Sequence, residues 1–161
     1  MANPDVPIDL KADAAAREDG GVYLLVLKLK RRCVLTVGSL GEIRFDSGWY
    51  VSVGSGKRNL SARIARHHRR RKKVHWHIDF LLARVEPGDI TSLPVRSRRA
   101  LECGLARDIG ALATGSTPGF GCSDCSCPSH LFRFDHDPLS NRLFLDLLFH
   151  YRHTVALERS S

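Results

Sequence analysis

The spacing of hydrophobic and polar positions changes several times along this chain, and each change marks an element. Residues 1–19 are polar and Ala/Asp-rich, without a repeating apolar pattern, and read as a flexible leader. Order begins at Gly20-Gly21. Val22 to Leu29 (VYLLVLKL) is an almost unbroken apolar run of β-formers, which predicts a central strand buried on both faces. Lys30-Arg31-Arg32 forms a turn, and Cys33 to Val37 predicts a second strand. Gly38, Gly41 and Gly48 mark further turns. Trp49 to Val53 (WYVSV) is a third strand, which Gly54-Ser55-Gly56 should end abruptly.

Helical spacing follows. Asn59 stands where an N-cap is wanted, and Leu60 to about Arg70 predicts a helix with Leu60, Ile64 and His67 near one face. A second helix is expected from His77 to about Ala83. Val85 to Val95 holds a Pro-Gly turn and one more strand. Leu101, Leu105, Ile109 and Leu112 recur at helical intervals, so Ser97 to Leu112 is the clearest helix. Thr114 to Ser129 is a Gly/Ser/Cys loop, and His130 to Phe134 (HLFRF) a last strand. Asn141 to Tyr151 (NRLFLDLLFHY) is apolar on most sides, as in a helix docked on the core or on a partner.

Composition narrows the class. At 161 residues the chain is one domain of ordinary size, long enough to fold without disulfide staples. No apolar run approaches the roughly 20 residues a membrane-spanning helix needs, so no membrane role is expected. The first residues lack the basic start, apolar centre and cleavage site of a secretory signal. Five cysteines, an odd number, then read as reduced thiols in the cytoplasm, available for metal, redox chemistry or packing.

Charge points to a partner. Lys and Arg outnumber Asp and Glu by 25 to 17, and the isoelectric point is about 9.7. The excess is concentrated: Ser47 to Ile78 contains no acid but carries Lys57, Arg58, Arg63, Arg66, Arg69, Arg70, Arg71, Lys72 and Lys73. His67, His68, His75 and His77 add donors. The plainest reading of a charge run is a solvated helix face. Nine bases without one acid, directly after a Gly-rich turn, favour nucleic-acid phosphate instead, through counterion release.

Six segments, GVYLLVL, GWYVSVGSG, ARIARHHRR, KKVHWHIDFLLA, ECGLA and GFGCSDCSCPSHLF, lie in order over about residues 20–134. Together they resemble the GIY-YIG nuclease superfamily, in particular its Uri-type subfamily, long catalogued as a domain of unknown function and sometimes found beside base-excision repair enzymes. The resemblance implies an α+β fold: a small, mostly antiparallel central sheet flanked by helices, with an added β-hairpin. It implies a nuclease domain at 20–135; the tail after Phe134 lies outside the resemblance, and 136–161 reads from its apolar segment as a C-terminal helical extension, a surface for a protein partner.

It also implies a metal-dependent endonuclease acting on DNA, on single strands or repair intermediates. Glu102 would bind one Mg²⁺ or Mn²⁺, Arg63 would grip the phosphate, and Tyr23 would position or deprotonate the water. His67, four residues after Arg63 and on the same helix face, could assist. One departure stands out. The second family tripeptide normally opens with Tyr, and Ser52 holds that place. Tyr50, two positions earlier on the same strand face, is the candidate substitute.

Lys57, Arg58, Arg66, Arg69, Arg70, Arg71, Lys72, Lys73, His75 and His77 are the expected DNA contacts. Taken singly, these residues have plainer readings: Tyr23 as a core tyrosine, Glu102 as a surface carboxylate paired with Arg98 or Arg99, His75 and His77 as anchors of a helix start. Loss of cleavage at Ser52 would leave a non-catalytic nucleic-acid-binding module. Finally, Cys122, Cys125, Cys127 and His130 fall in the spacing C-x2-C-x-C-x2-H, a donor set zinc accepts, with Cys103 beside Glu102 as a further ligand. A zinc-stabilised interaction domain is the third reading.

Overall fold

The computed structural model describes residues 18–159, so all but the end of the expected leader lies outside the described residues. The fold is α+β. Its centre is a five-stranded antiparallel sheet in the order β5-β1-β4-β7-β6, built from β1 (Gly21–Leu29), β4 (Gly48–Gly56), β5 (Ile90–Arg96), β6 (Gly115–Ser116) and β7 (Leu131–Phe134). The expected hairpin is present as β2 (Cys33–Thr36) and β3 (Glu42–Phe45), a separate two-stranded sheet. Among the described residues the main helices are α1 (Leu60–His68), α2 (His77–Leu82), α3 (Glu102–Leu112) and α4 (Arg142–Arg159).

The alternation of β1 sorts the core into two layers. Tyr23, Leu25, Leu27 and Leu29 face one side, where Leu60 of α1, Ile78, Leu81 and Leu82 of α2, Leu35 and Phe45 of the hairpin, and Phe120 pack on them. Val22, Leu24 and Val26 face the other side, under Leu105 and Ile109 of α3 and Phe144, Leu148 and Val155 of α4. A strand that buries both faces reads as a continuous apolar run, which is why β1 shows no visible alternation. The C-terminal helix is therefore a layer of this core and not an appendage, because its apolar positions close the second face of the sheet.

Four boundaries differ from the sequence expectation, each for a local reason. β4 does not stop at Gly54 but continues to Gly56, because Gly54, Ser55 and Gly56 pair with Tyr23, Val22 and Gly21. A Cβ on Gly54 would collide with the ring and hydroxyl of Tyr23, so glycine is what lets that ring lie flat across β4. Helix α3 starts at Glu102, not Ser97, because the Ser97 hydroxyl accepts from Arg99 N and holds a turn that competes with helix. α1 ends at His68, where Lys72 Nζ donates to the carbonyls of Arg66, His67 and Arg69. α4 runs past Tyr151 to Arg159, since Val155 adds another buried contact.

The cap of α1 comes from elsewhere too. Asn59 occupies the N-cap position without a side-chain capping bond. Instead Asp19 accepts from Leu60 N through its carbonyl at 3.0 Å, and from Ser61 N and Oγ through its carboxylate at 3.2 and 2.7 Å. A negative charge at this end also suits the helix dipole. Asp19, the last residue assigned to the leader, is thus part of the folded unit.

The most consequential polar contact is buried. Arg66 Nη1 and Nη2 donate to Asp79 Oδ1 and Oδ2, both at 2.9 Å, and the Asp79 carboxylate also accepts from the amides of His75 (2.8 Å) and Trp76 (2.9 Å). Asp79 thereby closes the N-terminus of α2 and ties it to α1. Burial alone would raise its carboxyl, but the Arg66 fork and the two amides hold it below the usual range. Replacing Asp79 with Ala leaves a half-buried guanidinium and two amides without their acceptor. The expected cost is about 3–5 kcal/mol, read as a lower urea midpoint at an unchanged m-value.

Candidate active site and metal cluster

One cleft of about 210 Å³ opens on the β1–β4 end of the sheet. Tyr23, Arg63, His67, His75, His77 and Glu102 all line it, together with Ser52, Ser55, Trp76 and Asp124. They arrive from several elements. β1 contributes Tyr23, β4 Ser52 and Ser55, α1 Arg63 and His67, the start of α2 His77, and the first turn of α3 Glu102. Residues far apart in the chain converge because α1 and α2 cover one face of the sheet while the start of α3 reaches the same end from the other.

Tyr23 and His67 form a buried pair. The phenol oxygen lies 2.7 Å from His67 Nε2, with both side chains almost fully shielded. Burial pushes the phenol up to about 12, against a lowering pull from Arg63. Burial likewise pushes the imidazole down to about 4, so His67 is neutral near pH 7 and its Nε2 can accept a hydrogen bond from the phenol. His67 Nδ1 is buried without a hydrogen-bond partner.

Glu102 faces the pair from α3. Its carboxylate accepts from Ser55 Oγ and lies 3.1 Å from His130 Nδ1. Burial would raise the carboxyl, but the contacts with His130 and Ser55, with Arg63 nearby, hold it below its ordinary value and therefore ionised. Arg63 Nη1 donates to Ser55 O at 2.6 Å, its guanidinium lies over the Trp76 ring at 5.1 Å, and its buried Nε has no hydrogen-bond partner among the described residues. Ser55 thus touches both charged groups. Nothing in the spacing of GSG singles out that serine, and Asp124, an acid in a Ser/Cys loop, is equally silent in the sequence.

The basic segment divides into groups with different surroundings. Two of its expected phosphate contacts are engaged internally: Arg66 by Asp79 and by stacking on Trp76 at 4.4 Å, Lys72 by the carbonyls that end α1. Arg69 and Arg70 line a second hollow on the outer side of α2, with Lys72 and Pro87. Lys57, Arg58, Arg69, Arg70, Arg71, Lys73 and His75 remain exposed. His77 accepts from Gly121 N at 2.9 Å and so anchors the cysteine loop to α2. Tyr50 is not available as the substitute tyrosine: its hydroxyl donates to Asp46 O at 2.7 Å and its ring packs edge-on against Phe45, away from the cleft lining.

A cysteine cluster sits behind Glu102. The potential ligand atoms of Cys103, Cys125, Cys127 and His130 all lie within 4.8 Å of one another, a grouping able to hold a metal ion. Cys122, expected in this set, is not in it: its thiol donates to Phe120 O, and Cys103 of α3 takes the fourth place. The cluster thiols do not titrate alike: burial would raise the Cys125 thiol, but its hydrogen bonds with Cys127 and the nearby His130 hold it below its ordinary value. A hydrogen bond to Cys103, with burial, pushes the Cys127 thiol up to about 12.

The family described as Domain of unknown function DUF123 matches residues 22–150, and the chain belongs to that family. The match takes in the first half of α4, in keeping with its place in the core. No curated protein and no solved structure matches the chain. Among the described residues, no helix is long and apolar enough to cross a membrane.

The buried, neutral His67 has a consequence for stability. An unfolded chain takes up this proton near 6.5, whereas the folded chain takes it up only near 4. Between those values the unfolded state binds more protons, so stability rises from pH 4 to pH 6.5, by up to roughly 3 kcal/mol from this group. A His67→Gln variant loses that share of the slope, which urea titrations at pH 4.5, 5.5 and 6.5 on both proteins would measure.

Proposed function

We propose that this domain is a metal-dependent endonuclease of the GIY-YIG type that hydrolyses DNA phosphodiester bonds, with repair intermediates or single strands as substrates. The observation that carries the reading is the convergence of a Tyr–His pair, an arginine with open donors and an ionised carboxylate on one cleft beside a strongly basic segment. A reducing compartment, the cytoplasm, suits its unpaired thiols.

The donor set fits a hard divalent ion at Glu102. The carboxylate is ionised, about a third exposed, and held in place by Ser55 and His130, leaving its outer lone pairs to a cation completed by water and phosphate oxygens. When bound there, Mg²⁺ or Mn²⁺ supplies charge relief at the phosphate and at the leaving oxygen. The cluster of thiolates behind it suits a softer ion, zinc.

The side chains divide the remaining work. Arg63 is braced by Ser55 O and Trp76, and offers its remaining N–H groups to a phosphate oxygen. Tyr23 cannot ionise readily where it lies. It accepts a proton from water only as its own proton passes to His67, which as the neutral Nδ1–H tautomer presents a lone pair to the phenol. His75 and His77 border the same space and add donors to the substrate backbone. Lys57, Arg58, Arg71 and Lys73 are exposed and supply salt-sensitive, sequence-independent affinity.

A non-catalytic DNA-binding module is the second reading, favoured by Ser52. This serine lies on the same sheet face as Tyr23, where the family tyrosine would add a second phenol, and Tyr50 does not replace it. Incubation with single-stranded and duplex DNA plus Mg²⁺ or Mn²⁺ separates the two. The expected result is metal-dependent cutting, lowered by about 100-fold or more in Arg63→Ala and abolished in Glu102→Ala, while salt-sensitive binding survives in both. Cutting retained by Glu102→Ala would refute the assigned role. Binding without cutting under every metal would favour the second reading.

A further inference from the structure

The sulfur cluster and the cleft share a residue. His130 is nearly fully buried between them, with Nδ1 3.1 Å from Glu102 Oε1 and Nε2 3.6 Å from Cys125 Sγ. A tetrahedral zinc ion with ordinary Zn–S and Zn–N bonds sets neighbouring sulfur and nitrogen ligands about 3.6 Å apart. The observed spacing is that edge. The remaining sulfurs, those of Cys103 and Cys127, lie within 4.8 Å of it.

We propose that Cys103, Cys125, Cys127 and His130 form a structural zinc site, and that Glu102 is the outer-shell carboxylate that orients its histidine. Glu102 favours the Nδ1–H tautomer, which turns the Nε2 lone pair toward the sulfurs. This carboxylate–histidine–metal arrangement commonly raises the basicity of the ligand and fixes its ring. The dependence runs both ways, since an anchored His130 also holds Glu102 in its position over the cleft.

The covalent topology gives the site a mechanical role. Cys125 and Cys127 belong to the loop between β6 and β7, and Cys103 to the first turn of α3. That same loop supplies Phe120, Gly121, Ser123 and Asp124 to the cleft wall. Its base is closed by main-chain bonds from Gly119 N to Pro128 O and from His130 N to Phe120 O, both 2.8 Å. Its tip meets α3 at the sulfurs of Cys125, Cys127 and Cys103. Zinc would tie the two together there, so occupancy sets the position of both the loop wall and Glu102. The site does not depend on what the cleft binds or cuts.

The test reads metal affinity and spectrum without DNA. The protein, purified reduced, is expected to bind one zinc per chain, and Co²⁺ in its place should give the thiolate charge-transfer and intense ligand-field bands of a tetrahedral site. In chelator competition, Cys122→Ser keeps the parent affinity. Cys103→Ser, which alters an exposed position and leaves the core intact, should lose more than the roughly 10–100-fold that an outer-shell change costs. Glu102→Ala should fall within that 10–100-fold range while keeping the tetrahedral spectrum, and Glu102→Gln, still able to accept from Nδ1, should recover part of the loss. Circular dichroism of each variant confirms the fold. No stoichiometric zinc in the parent, or equal losses in Cys122→Ser and Cys103→Ser, would overturn the site. Parent-like affinity in Glu102→Ala would overturn the link to the cleft.

Discussion

The register of β1 against β4 is the constraint on which the rest of this structure depends. Nine residue pairs, from Gly21↔Gly56 to Leu29↔Gly48, set Tyr23, Leu25 and Leu27 opposite Gly54, Ser52 and Tyr50. These share one face, and the valines of both strands share the other. A slip of one residue would reverse every side chain, placing Tyr23 under α3 and the valines under the polar cleft. Because both faces are buried by chemically different layers, only this register satisfies both at once. Gly54 adds a local lock, since the Tyr23 ring occupies the space where any larger residue would need its Cβ.

From that register the cleft follows by attachment. α1 must dock Leu60 on the Tyr23 face, and this brings Arg63 and His67, one turn apart, to the phenol. α2 is joined to α1 by the Arg66–Asp79 pair, whose carboxylate takes four donors from three residues. A buried ion pair seldom adds net stability relative to an apolar pair. Here it sets the angle between two short helices, the second of only six residues, and so holds Trp76 between Arg63 and Arg66. The positive run that looks redundant in the sequence therefore includes charges consumed in building the cleft and others left for a ligand.

How much of this was legible before the fold was known depended on whether the signal was local. β1, α1 and α2 could be read because apolar period and glycine turns are local properties, whereas β3 of the hairpin, short and largely exposed, has no such pattern and came only with the family resemblance. Tyr23, Arg63 and Glu102 were found by their order along the chain, and the fold brings them to one place. What escaped was set by distant partners. The Asp19 cap on α1 joins residues 42 apart, and Arg66 could not be separated from its exposed neighbours without knowing where Asp79 lies. Cys103, expected only as a further ligand, joins Cys125, Cys127 and His130 because the start of α3 reaches the loop tip, while Cys122, nearer in sequence, turns its thiol back to Phe120 O. Spacing ranks ligands by chain distance; the sheet ranks them by space.

The placement of Glu102 also bears on which functional reading is more coherent. An ionised carboxylate on the wall of a cleft that receives phosphate repels that phosphate, and the low dielectric of a half-buried wall strengthens the repulsion. A pure binding module would be better served by a neutral residue at that place. Yet the structure sets Glu102 against the donating Ser55 hydroxyl and beside the His130 ring, which hold it ionised. Arg63, already committed in part to Ser55 O, cannot offset both the carboxylate and an incoming phosphate. A divalent cation held by Glu102 would offset that repulsion. On the endonuclease reading the carboxylate therefore serves both the cleft and His130, and on the binding-module reading its charge serves His130 alone.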